Sequence, residues 1–253
     1  MALLLHTEAS GEGPPVVLLH GLFGQARNLG VVARALAADH RVISMDLRNH
    51  GASPHAPGMG YEALAGDVLA TLNAVGISRA AWIGHSMGGK TAMAAALLRP
   101  DAVARLLVAD IAPVAYAHGN AEITAAMLAV DAGPATTRAQ VMAALEAAVP
   151  DQAVRAFLAQ NFTPGVGWRI GLAEIAAGIA DIEGWPDFGA AQYGGPTLFV
   201  AGGRSKYVRP AHQAAIARLF PRARVEKIEA AGHWLHADAP AAFNAVVREF
   251  LES

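Results

Sequence analysis

The stretch Ala81-Trp82-Ile83-Gly84-His85-Ser86-Met87-Gly88-Gly89-Lys90-Thr91 decides the fold. An apolar run stops at Gly84, and Ser86 sits between two glycines at Gly-x-Ser-x-Gly spacing. A helix-like Ala/Met/Leu run over 92–98 then ends at Pro100. Strand, sharp turn and helix are the context of a nucleophile elbow, whose turn holds the serine in a strained backbone conformation. The residues two before and two after must then be small, and Gly84 and Gly88 meet that demand. The same letters carry a second pattern. Gly84-x-x-x-x-Gly89-Lys90-Thr91 fits a phosphate-binding loop, with Lys90 on the phosphates and Thr91 on magnesium. The rest of the chain has to separate a serine nucleophile from a phosphate cradle.

Outward from the elbow, strand and helix patterns alternate. Residues 3–7 read as a first strand, closed by the turn Ser10-Gly11-Glu12-Gly13. Val16-Val17-Leu18-Leu19 is a continuous apolar run, typical of a strand buried on both faces of a parallel sheet. Val42-Ile43-Ser44-Met45 and Leu106-Leu107-Val108-Ala109 read as further strands, with helices expected at 29–37, 61–75 and 86–99. Between about Pro113 and Gly195 no convincing buried strand appears. Thr137-x-x-Gln140 fits a capping box opening a helix over 141–149. Val154, Phe157 and Leu158 share a helix face, and Trp168, Leu172, Ile175, Ile179 and Ile182 recur at four- and three-residue steps as one apolar stripe. Alternation resumes with a strand over 197–201, a helix over 210–220, a last strand over 225–228 and a helix over 239–251. The pattern predicts a mainly parallel, doubly wound α/β sheet formed by residues 1–112 and 196–253, with 113–195 inserted as a helical lid.

Composition narrows the function. The chain has 253 residues, over half of them apolar, and a formal net charge of −2 with no basic cluster. Nucleic acid is an unsuitable partner, because phosphate binding needs concentrated positive charge. There is no cysteine, which excludes disulfides, a thiol nucleophile and Cys-ligated metal centres, and fits a cytoplasmic protein. No uninterrupted apolar segment reaches the ~18 residues of a membrane span. Oligomeric state is not readable.

A serine hydroxyl needs a base within hydrogen-bond reach, and that base needs an orienting carboxylate. His233 follows the last strand between a glycine and a tryptophan and fits the base; His236 is its rival, and His85 leaves the elbow in another direction. The acid of such a fold usually follows the strand before the last, but Ser205 stands there, and no Asp or Glu occurs between Asp187 and Glu226. Asp110, at the end of the strand after the elbow unit, is the best replacement; Asp46 also ends a strand, on the far side of the sheet. Ser205 then becomes a hydrogen-bonding support. The oxyanion requires two backbone donors, expected from Met87, at a helix start, and from Leu22 in His20-Gly21-Leu22-Phe23. His20 reads as a structural hydrogen-bonding residue. A phosphate cradle would leave His20-Gly21, Ser86 and Gly232-His233 unexplained. A metal set drawn from His233, His236 and Asp238 lacks helix-spaced support, so no metal or organic cofactor is expected. A non-catalytic binding module would have little use for an intact Ser86, His233 and acid.

These residues resemble the α/β-hydrolase fold superfamily over nearly the whole chain: His20-Gly21, Asp46-Leu47-Arg48-Asn49-His50-Gly51-x-Ser53, Gly84-His85-Ser86-Met87-Gly88-Gly89 and Gly232-His233. Arg48-Asn49-His50-Gly51-x-Ser53-Pro54-His55, His85-Ser86-Met87-Gly88-Gly89-Lys90, Asp110-Ile111-Ala112-Pro113 and Gly232-His233-Trp234 are similar to a small esterase and thioesterase branch. The resemblance implies a serine hydrolase of acyl esters or thioesters working through an acyl-enzyme. It also supports Asp110 as the acid and accounts for Lys90 as part of that branch's elbow. The superfamily usually has one more amino-terminal strand than this chain has room for, so seven are expected. Serine-dependent C–C bond hydrolases and cofactor-free haloperoxidases share the fold. The lid would supply an apolar wall from among Tyr116, His118, Phe157, Phe162 and Trp185.

Overall fold

Apolar strands without alternation need helices on both sides, and the chain provides them in turn. The computed structural model describes residues 2–116, 119–131 and 133–253; His118 lies outside them. The chain runs β1 (Thr7–Ser10), β2 (Pro15–Leu19), α1 (Gly30–Leu36), β3 (Arg41–Met45), α2 (Tyr61–Ala74), β4 (Ala80–His85), α3 (Met87–Leu98) and β5 (Val103–Ala109). An intervening segment holds α4 (Asn120–Leu128), α5 (Arg138–Ala144), α6 (Gln152–Ala159), β6 (Phe162–Thr163), β7 (Gly167–Trp168), α7 (Leu172–Ala177) and α8 (Ile179–Glu183). The chain then continues through β8 (Thr197–Gly202), α9 (Gln213–Leu219), β9 (Ala223–Ile228), α10 (Leu235–Asp238) and α11 (Pro240–Glu252).

Seven strands form one sheet in the order β1-β3-β2-β4-β5-β8-β9, parallel except for the β1–β3 pair. Successive strand residues point to opposite faces. Val17, Leu19, Trp82, Leu106, Val108 and Phe199 therefore share a core with α2, α3 and α9. Val16, Leu18, Ile83, Leu107, Leu198 and Val200 pack on α1 and α11. Trp82 is fully buried at the centre of the first core, where truncation to alanine would cost roughly 3–5 kcal/mol. Strand order reverses between β2 and β4. Such a reversal opens a crevice beyond the carboxyl ends of the strands, and ligands of open α/β sheets bind there.

Four sequence expectations are corrected. The first strand is Thr7–Ser10, not 3–7. Leu3 and Leu5 direct their N–H groups at Asp67 Oδ1 (2.7 Å) and Thr71 Oγ1 (3.0 Å) on α2, so their apolar side chains reflect packing rather than a ladder. The intervening segment is not wholly helical: β6 and β7 pair around Pro164-Gly165-Val166, with positive φ at Gly165 and Gly167. The stripe from Trp168 to Ile182 spans three elements. Trp168 lies on β7 with its ring against Phe162, and Gly178, where a Cβ would meet Met59 at 2.6 Å, separates α7 from α8. The Thr137/Gln140 capping box is present, but its helix is Arg138–Ala144 rather than 141–149.

Candidate active site

The elbow is built by steric exclusion. Ser86 takes φ 53° and ψ −119°, a conformation that side chains avoid and that stores about 1–3 kcal/mol. A Cβ on Gly84 would lie 2.2 Å from Gly88 O, and one on Gly88 would lie 2.3 Å from Leu19 O. A loop this tight leaves no cradle for phosphates. Thr91 Oγ1 donates to Met87 O (2.9 Å), and Lys90 is buried, with Nζ donating to Glu183 O (3.2 Å) and Gly184 O (2.6 Å) at the end of α8. Its ammonium also faces the Tyr61 and Tyr116 rings at 5.3 and 5.0 Å. Burial pulls the Lys90 pKa down from 10.5 to about 7.

The strand beside the elbow supplies the carboxylate. Asp110 directly follows β5 and is wholly buried, with φ 51°. Its Oδ1 accepts Gly202 N–H (2.9 Å), and its Oδ2 accepts His233 Nδ1–H (2.8 Å) and the Ser205 hydroxyl. With Nδ1 as donor, the lone pair of neutral His233 is on Nε2. Tyr207 stacks on the imidazole, 4.0 Å between centroids and 19° between planes. His85 Nε2 donates to His233 O (2.8 Å), so the elbow histidine braces the backbone of the late one.

His236, the rival base, stands behind the elbow histidine. It is buried against His85, with ring centroids 5.0 Å apart, and burial lowers its pKa to about 4. Asp238, drawn with it as a metal ligand, accepts Gly232 N–H (2.6 Å) and so serves the turn before His233. Asp46 lies two strands from the elbow and accepts Ala26 and Ala52 N–H groups (2.7 and 2.9 Å).

Ser86, Met87, Leu22 and His233 line one cavity of about 290 Å³. Gly24 N–H is bonded to Gly21 O (2.9 Å) and Phe23 N–H to His50 Nε2 (3.1 Å). Among the described residues, the N–H groups of Leu22 and Met87 have no acceptor. His20 holds this loop as a structural residue: Nδ1–H donates to Gly21 O (2.8 Å) and Nε2 accepts Leu47 N–H (3.0 Å). The rest of the wall includes Tyr61, Ile123 of α4, Phe157 of α6, Ile182 of α8 and Trp234. Of the expected wall residues, Phe157 lines the cavity. Tyr116, Phe162 and Trp185 stand behind it, on Lys90, Trp168 and Tyr61 respectively. The Tyr207 stack and the His85 brace had no sequence signal beyond proximity to Ser205 and Ser86.

Residues 14–240 match the model of the α/β-hydrolase fold family. The chain belongs to that family. Esterase YbfF of Escherichia coli is 42% identical over 238 residues, covering 94% of this chain and 92% of that one. The sn-1-specific diacylglycerol lipase ABHD11 of Mus musculus is 41% identical over 249 residues, covering 94% and 81%. The solved structure of a marine microorganism esterase superposes with a TM-score of 0.95 at 35% identity, covering 98% of this chain and all of that one. As in open α/β sheets generally, the crevice lies at the carboxyl edge of the sheet. No helix among the described residues is long and apolar enough to cross a membrane.

Proposed function

We propose that Ser86, His233 and Asp110 are the nucleophile, base and orienting acid of a serine ester hydrolase. The observation that carries this reading is the His233–Asp110 contact of 2.8 Å, buried on the acid side and opening on the Ser86 cavity on the other. His233 takes the Ser86 proton as Oγ attacks the acyl carbonyl, and returns it to the leaving alcohol. Asp110 stabilises the imidazolium and fixes the tautomer. Leu22 and Met87 N–H groups, without acceptors among the described residues, receive the oxyanion, and the α3 N-terminus adds a favourable dipole. Water then releases the acyl-enzyme by the same path. Ser205 and Gly202 support the acid, whose carboxylate would otherwise be buried with one partner.

The substrate is a small-molecule acyl ester. The cavity is lined mostly by apolar side chains, and residues of α4, α6 and α8 cover it as a lid that offers an apolar wall to the acyl group. A thioester presents the same carbonyl and a better leaving group. The test is covalent labelling by a fluorophosphonate together with hydrolysis of a chain-length series of p-nitrophenyl esters beside acyl-CoA substrates. Labelling confined to Ser86, with ester turnover, is expected; an unlabelled Ser86 would overturn the assignment.

A further inference from the structure

The loop Arg48-Asn49-His50 takes no part in the chemistry above, yet His50 is wholly buried and aimed at the loop that carries Leu22. Leu22 N–H belongs to the Gly21–Leu22 peptide. In a trans peptide the C=O and N–H point in opposite directions, so whatever holds Gly21 O also aims Leu22 N–H. One of the groups holding Gly21 O is Gly24 N–H, across a four-residue turn. That turn exists only while Phe23 keeps φ 59°, a conformation normally left to glycine or asparagine at this turn position. Phe23 would relax unless its neighbours over-determine it.

Two side chains do so. His50 Nδ1–H donates to Arg48 O (2.8 Å), which leaves Nε2 as the acceptor for Phe23 N–H (3.1 Å). Burial keeps this imidazole neutral, with its pKa near 3, so the acceptor is not lost to protonation at neutral pH. On the other side of the same residue, Asn161 Nδ2 donates to Phe23 O (2.7 Å). Asn161 is buried between α6 and β6, in the segment that covers the cavity, and its own backbone is held by Leu158 O and Arg169 N–H. The amide nitrogen faces two carbonyls, Phe23 O and Leu158 O, so its orientation is unambiguous.

We propose that His50 and Asn161 are positioning residues of the oxyanion hole: they grip Phe23 from the core and from the covering segment, so the seating of that segment sets the aim of Leu22 N–H. The proposal rests on Leu22 as an oxyanion donor. It makes the covering segment part of transition-state stabilisation, rather than only a wall for substrate.

The experiment uses the full chain with Asn161→Ala, Asn161→Asp, His50→Leu and His50→Gln, and measures kcat, KM, melting temperature and inhibition by an alkyl boronic acid, whose tetrahedral adduct mimics the oxyanion. Loss of a whole oxyanion donor costs about 10²–10³ in kcat; misaiming one should cost on the order of 10–100-fold. Asn161→Ala, Asn161→Asp and His50→Leu should lower kcat by that factor with KM within about 3-fold, and weaken the boronate in parallel. His50→Gln, which keeps an acceptor at the end of the side chain, should recover most of the loss. Folded variants with wild-type kcat and boronate affinity would overturn the proposal, whatever their melting temperature. If His50→Leu does not fold, the two Asn161 variants decide. Full turnover by Ser86→Ala would instead overturn the catalytic reading beneath it, so the two failures are distinguishable.

Discussion

At the carboxyl edge of the sheet, Phe23, Asn49, Ser86 and Asp110 take positive φ of 59°, 64°, 53° and 51°, and they follow β2, β3, β4 and β5 in turn. At the amino edge, the turns leading into β2 and β4 take theirs from Gly11, Gly13 and Gly76. Glycine adopts such angles without a Cβ penalty, whereas other residues store about 1–3 kcal/mol each. Strain is accepted where a side chain or a particular peptide is needed in a fixed place, and avoided where the turn only has to turn. Each strained residue is also held from outside its own turn. Asn49 O accepts Gly171 N–H (2.8 Å), Ser86 N–H reaches Ala109 O (3.0 Å) and Asp110 N–H reaches Val200 O (2.9 Å).

The sharpest way to break this comparison is to remove the side chain that the strained elbow presents. Ser86→Ala should lower kcat by on the order of 10⁶ with the fold retained, measured by ester turnover beside circular dichroism. Asp110→Asn should lower kcat by about 10⁴, since an amide favours the wrong His233 tautomer; near-normal turnover would remove Asp110 from the site. The third effect is on stability. Lys90 has a depressed pKa in the folded chain, so its contribution is complete above the unfolded value of 10.5 and is lost as pH falls through about 7. Between pH 7 and 9 the urea-derived stability of the wild type should rise by roughly 2 kcal/mol relative to Lys90→Met; parallel pH profiles would contradict a desolvated ammonium. Ser205→Ala, which removes one donor to Asp110, should lower kcat by roughly 10-fold. Gly76→Ala, at the opposite edge with open space for a Cβ but φ 75°, should cost about 1 kcal/mol in denaturant midpoint and leave turnover unchanged.

What could be read in advance follows the same division. Gly84 and Gly88 were legible because their demand is local: one Cβ on either would strike backbone a few residues or one strand away. The pairing of Asp110 with His233 could be anticipated from a vacancy, the lack of any carboxylate from 188 to 225, together with its place after the strand beside the elbow. The alternation of strand and helix that predicts a mainly parallel sheet is equally local. The first strand was misplaced because Leu3 and Leu5 find their acceptors more than sixty residues away on α2. The small β6–β7 ribbon was missed because two-residue strands have no periodicity to read. Tyr207 on His233 and Asn161 on Phe23 are single long-range contacts, and composition carries no trace of them.

Ser86 and Lys90 stand four residues apart and line the same cavity, and Lys90 N–H closes the first turn of α3 onto Ser86 O (3.0 Å). A single residue inserted or deleted between them would rotate everything beyond it by about 100°. The ammonium would then leave Glu183 O and Gly184 O as the elbow lost its tight closure. Changes of chain length have to fall outside this interval, and any chimera assembled from related chains has to carry it over as one unbroken block.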